Sequence, residues 1–140
     1  MNSQLVNPLL QQLASGGIPT VAGLEQILGT PLKPAQENPH WKFYSFELPS
    51  GPFRGGELRL STAGERALVS LMGRDEAALL EDDINLTPWG AVRHIDINPA
   101  IPPEGTDAYA YDLPGVRLSF QFMHVSRRLR SATLEWGAKP

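Results

Sequence analysis

The chain has 140 residues, of which 41% are apolar and 19% charged, with a formal net charge of −3. That is the size of one domain, and too apolar for a disordered segment. The acidic balance gives no electrostatic case for binding nucleic acid or an anionic membrane, and the absence of cysteine excludes disulfides and thiolate chemistry.

The N-terminal stretch MNSQLVNPLLQQLASGG has no basic start and no apolar run of signal-peptide length. No segment approaches the roughly 18 apolar residues of a membrane span, so a cytoplasmic protein is expected. Residues Val6 to Ala14 read as a short amphipathic helix, with Leu5, Leu9, Leu10 and Leu13 on one stripe, ended by Ser15-Gly16-Gly17. Thr20 is a candidate N-cap for a second helix, whose stripe is Val21, Leu24, Ile27 and Leu28, closed by Gly29 before Pro31. Leu32 to Pro39 is polar and reads as a loop.

Strands follow, marked by period two. Tyr44, Phe46 and Leu48 alternate with Ser45 and Glu47, and the segment from Pro49 to Pro52 breaks the run. Glu57 to Ser61 and Arg66 to Met72 are the next two strands, whereas Gly51 to Gly56 reads as a turn without a P-loop lysine. Asp75 to Asp83 is an acidic helix candidate stopped by Thr87-Pro88, and Val92 to Ile97 an edge strand or extended connection. After a proline-rich loop from Asn98 to Gly105, the stretch from Tyr109 to Trp136 carries three strands, the first two joined by Pro114-Gly115.

The two halves resemble each other. Tyr44 to Leu48 aligns with Tyr109 to Leu113, the segment Leu58 to Ser61 with Val116 to Ser119, and Arg66 to Gly73 with Arg130 to Gly137. The reading is a single domain over 1–140 with internal repeats at 17–72 and 73–137. The alternative is two amphipathic meanders that look alike because both obey period two. The expected fold is α+β: a mainly antiparallel sheet of about six strands from two tandem αβββ-like units, with short helices packed on one face.

With Leu28-Gly29-Thr30-Pro31 running into Trp41 to Tyr44, and more faintly Leu86-Thr87-Pro88 in the second half, this organisation resembles the β-lactamase inhibitor protein and the related small lipoproteins of tandem αβββ architecture. The resemblance implies a sheet face used for binding. The chain departs from those families in lacking cysteines and an export signal, so their targets do not carry over.

No catalytic, metal or cofactor site is legible. His40, His94 and His124 stand singly, with no HxxxH or HExxH spacing, and there is no GxSxG. The basic cluster Ser126-Arg127-Arg128-Leu129-Arg130 reads as a solvated hairpin turn. The acidic run of Asp75, Glu76, Glu81, Asp82 and Asp83 reads either as a solvated helix face or as a steering surface for a basic protein partner. Aromatic residues supply interface hot spots, and Trp41, Trp89, Tyr109 and Tyr111 are candidates, whereas Tyr44 and Trp136 read as core. The expected partner-binding set is Glu81, Asp82, Asp83, Trp89, Asp96, Tyr109 and Tyr111.

These signs point to a non-catalytic protein-binding module of the bacterial immunity type, occluding a toxin or effector with a basic surface. The alternatives are an adaptor or chaperone for a secreted protein, or a small-ligand-binding or enzymatic domain using His94, Asp96 or His124. Nucleic-acid and membrane partners are not expected, and the sequence does not fix the oligomeric state.

Overall fold

A computed structural model describes residues 6–74, 79–90, 94–98 and 105–137. Among these residues, two α-helices, α1 (Val6–Ser15) and α2 (Val21–Leu28), precede eight strands: β1 (Lys33–Glu37), β2 (Trp41–Glu47), β3 (Phe53–Ser61), β4 (Ala67–Gly73), β5 (His94–Asn98), β6 (Thr106–Leu113), β7 (Val116–Met123) and β8 (Leu129–Trp136). All eight join one antiparallel sheet in the order β1-β2-β3-β4-β8-β7-β6-β5. Among the described residues, no helix is long and apolar enough to cross a membrane.

The α+β class and the antiparallel sheet are as expected, but each half contributes four strands, not three. Lys33–Glu37, read as a loop, is strand β1, and its five residues are all exposed. Exposure explains the misreading: an edge strand with no buried face shows no apolar alternation. The Gly51 to Gly56 stretch is likewise only partly a turn, because Phe53 to Gly56 begins β3, with an irregularity in register between Phe53 and Gly55. Of the expected acidic helix, 75–78 lie outside the described residues, and Glu81–Asp83 is a single 3-10 turn. The predicted edge strand is present as β5, from His94 onward.

Local chemistry sets both helix ends of α2. The Thr20 hydroxyl accepts the Gly23 N–H at 3.0 Å, and Gly29, with φ 70, donates its N–H to the Glu25 carbonyl at 2.8 Å. This is the capping pair expected of threonine and glycine. The Glu25 carboxylate then accepts the Leu32 N–H at 2.8 Å, fixing where the chain turns into β1.

The core lies on one face of the sheet, with Val6, Leu10 and Leu13 of α1 and Leu24 of α2 in the same buried cluster. One cross-strand row of that face runs Tyr44–Leu58–Val69–Leu134–Leu118–Tyr111. It reads nearly the same from either end, with the β4–β8 seam at its centre. Counted outward from the seam, Tyr44 answers to Tyr111, Leu58 to Leu118 and Val69 to Leu134. The sequence alignment had matched them with Tyr109, Val116 and Thr133. Its last match is one residue out of phase and set a buried Val69 against Thr133, which belongs to the opposite face.

Candidate binding face

The residues expected to meet a partner do not form one surface. Trp89 sits in a 3-10 turn, Thr87–Trp89, and is 6% exposed. Its indole N–H donates to the Asn7 side-chain oxygen at 3.1 Å, and its ring meets Phe120 at 6.4 Å. Tyr111 is 1% exposed and stands edge-on to Phe120. Both are core residues, so neither presents a ring to a partner. The side chain of Asp96 lies outside the described residues.

Glu81 and Tyr109 do converge, on Arg127. This arginine occupies the β7–β8 turn with φ 60, a left-handed backbone, and its carbonyl accepts the Glu81 N–H at 2.9 Å. Its guanidinium donates to Asp107 at 2.5 Å and to the two Glu81 oxygens at 3.1 and 3.3 Å. It also donates to the Tyr109 hydroxyl, and lies over the Tyr109 and Phe122 rings. His124 Nδ1 stands 2.9 Å from both Asp107 oxygens.

The electrostatics follow from these contacts. The Arg127 hydrogen bond holds the Asp107 carboxyl below the usual carboxylate range, against burial that pushes it up. Burial, then the Glu81 charge, raises the Tyr109 phenol, and the Glu81 hydrogen bond raises the Arg127 guanidinium. Arg127 was expected in a solvated turn. It is instead a clasp joining β6, the β7–β8 turn and the Glu81–Asp83 turn, and its donors are consumed within the fold. Asp83 is also engaged, accepting the Leu80 N–H at 3.1 Å. Asp82 stays exposed beside it.

The opposite sheet face has a different character. Its rows, read across the register, are Phe43–Arg59–Leu68–Glu135–Arg117–Asp112, then Ser45–Glu57–Ser70–Thr133–Ser119–Ala110, then Glu47–Gly55–Met72–Ser131–Gln121–Ala108. Small side chains fill the middle of this face, which makes a trough. Large ones, Trp41, Phe43, Leu68 and Met72, stand half-buried on the β2–β4 side. A groove of about 760 Å³ there is lined by Phe46, Gly55, Glu57, Met72 and Thr133, among others. A second of about 250 Å³ reaches Trp41, Phe43 and Leu68.

Charges on this face are largely matched. Arg59 pairs with Glu57 at 2.5 Å and lies over the Phe43 ring; Arg66 reaches Glu135 at 3.5 Å and lies over Trp41. At about half exposure these pairs contribute little to stability. They do hold the two guanidinium groups over the aromatic rings. No group of His, Asp or Glu side chains able to hold a metal occurs among the described residues, and none of the residues lining the large groove belongs to the Arg127 cluster.

Sequence reading found Trp41 but missed Phe43, Arg59, Arg66, Leu68 and Met72. The signal was in WKFYSF, where aromatic residues occupy both phases of one strand, so both faces carry large rings. Compared with protein-family models, curated proteins and solved structures, the chain matches none.

Proposed function

We propose that this chain is a non-catalytic protein-binding module that receives its partner on the open sheet face. The observation that carries the reading is that Arg66 and Arg59 lie over Trp41 and Phe43 on a troughed face that the described residues leave uncovered. Tryptophan, arginine and methionine are the residue types enriched where interfaces concentrate binding energy. Because Arg59, Arg66 and Arg117 on this face are matched by Glu57, Glu135 and Asp112, association there rests on apolar burial. The overall negative charge favours a basic partner.

The most specific form of the proposal is a cytoplasmic bacterial immunity protein that occludes a toxin or effector. The resemblance to a proteinaceous inhibitor supports it by analogy of architecture alone. The near-symmetric central row supports the companion reading, that the two meanders descend from a tandem duplication. A second reading, small-ligand binding, is favoured by the groove of about 760 Å³, a size within the range of ligand sites.

The test is capture of partners by the tagged chain in its native cell, washed at low and at high salt. One stoichiometric partner, toxic when expressed alone and lost on Trp41→Ala/Phe43→Ala, is the expected result. A secretion component retained by that variant would replace this reading with the adaptor. Absence of any partner would overturn it in favour of the ligand site.

A further inference from the structure

The two edges of the sheet are built differently. β1 carries Lys33, Pro34 and Glu37, and its register slips between Pro34 and Glu37. Charge, proline and a bulge are the devices that stop an edge from recruiting another strand. β5 has no proline and keeps regular register through five consecutive pairs with β6. It also exposes Ile95 at 64% and Ile97 at 61%. Both isoleucines share a face, two residues apart, and no strand pairs with the outer side of β5 among the described residues.

We propose that β5 pairs antiparallel with β5 of a second copy, joining two sheets into one about a two-fold axis. The occupant follows from self-complementarity. A two-fold axis perpendicular to the sheet keeps like faces together, so every such register that places a β5 isoleucine against β5 sets isoleucine across from isoleucine. The register centred on Ile95 places residue 95 across from its own copy and residue 94, a histidine, across from residue 96, an aspartate. The register centred on residue 96 would instead set two aspartates opposite each other, which is unfavourable. The pairing also makes the two open faces continuous. The contact is short, so association is weak, with a dissociation constant of order micromolar to tens of micromolar.

Sedimentation velocity on the purified chain over an about hundredfold concentration range tests this directly. The weight-average mass is expected to rise from the monomer's 15.3 kDa toward a dimer. Ile95→Lys/Ile97→Lys should remain monomeric throughout, with unchanged thermal stability because both positions are exposed. Ile18→Lys, at an exposed isoleucine elsewhere, should dimerise as the unaltered chain does. Since the chain has no cysteine, Ile95→Cys introduces one thiol, and cross-strand partners lie close enough for a disulfide under a mild oxidant. A chain that is monomeric at every concentration overturns the proposal. So does a dimer that survives the double lysine variant, or an Ile95→Cys chain that dimerises without cross-linking.

Discussion

Replacing Arg127 by alanine removes a clasp and leaves its partners in place. Asp107, whose side chain is only 10% exposed, would keep its charge with His124 as its remaining side-chain partner. Glu81 and the Tyr109 hydroxyl would lose their donor at the same time. Charge-assisted hydrogen bonds contribute about 1.5–3 kcal/mol each, and breaking a buried ion pair costs about 3–5 kcal/mol. The Arg127 and Glu81 side chains are 29% and 25% exposed, so solvent recovers part of this, and we expect a loss of about 2–4 kcal/mol. Urea unfolding would read it as a midpoint lowered by about 1–2 M. Arg127→Gly provides an internal control. It loses the same contacts but relieves the left-handed backbone at φ 60, so it should be about 1 kcal/mol more stable than Arg127→Ala. A loss below about 0.5 kcal/mol for Arg127→Ala, the scale of an ordinary surface substitution, would refute the clasp. A glycine variant less stable than the alanine one would refute the assignment of strain.

Other outcomes follow from named contacts. Asp107→Asn should flatten the acid limb of stability. The folded-state carboxyl titrates below its unfolded value of about 3.9. Its contribution is therefore complete well above that value and is lost as pH falls through the depressed one. The variant's deficit, measured by urea unfolding, should be constant above about pH 5 and shrink below about pH 4. Gly56→Ala should destabilise by about 3 kcal/mol or more, because an added Cβ would lie 1.9 Å from the Ser70 carbonyl oxygen in the adjacent strand; thermal melts check this. Asp82→Lys should leave stability within about 0.5 kcal/mol while slowing association with the captured partner at low salt, read by surface-based kinetics.

The sequence revealed what alternation can reveal. β7 alternates buried with half-buried positions along most of its length, β8 nearly so, and period two placed β6, β7 and β8 to within a few residues. Thr20 and Gly29 marked the second helix because each has a mechanism for ending one. β1 escaped because nothing in it is buried. Trp89 was mistaken for a surface residue because Pro88 and Gly90 look like an open loop, whereas its partner Asn7 is remote in the chain. The Arg127 clasp escaped for the same reason. Glu81, Arg127 and the β6 pair Asp107 and Tyr109 come from three separate segments, and only the fold brings them together. The open face was half legible: Trp41 was named, and alternation puts Phe43 beside it, but only the register shows that Leu68 and Met72 share their side of the sheet.

The order of the strands bears on how the chain reaches this state. Of the seven strand pairings among the described residues, six join strands adjacent in sequence, and only β4 with β8 joins distant ones, setting Ala67 beside Trp136. Loop-closure entropy is therefore concentrated in a single event. Each meander zips from its own hairpins, and closing the seam between them is the slow step. Substitutions at Val69 or Leu134 should accordingly retard folding more than they hasten unfolding, the kinetic signature of a nucleus that spans both halves.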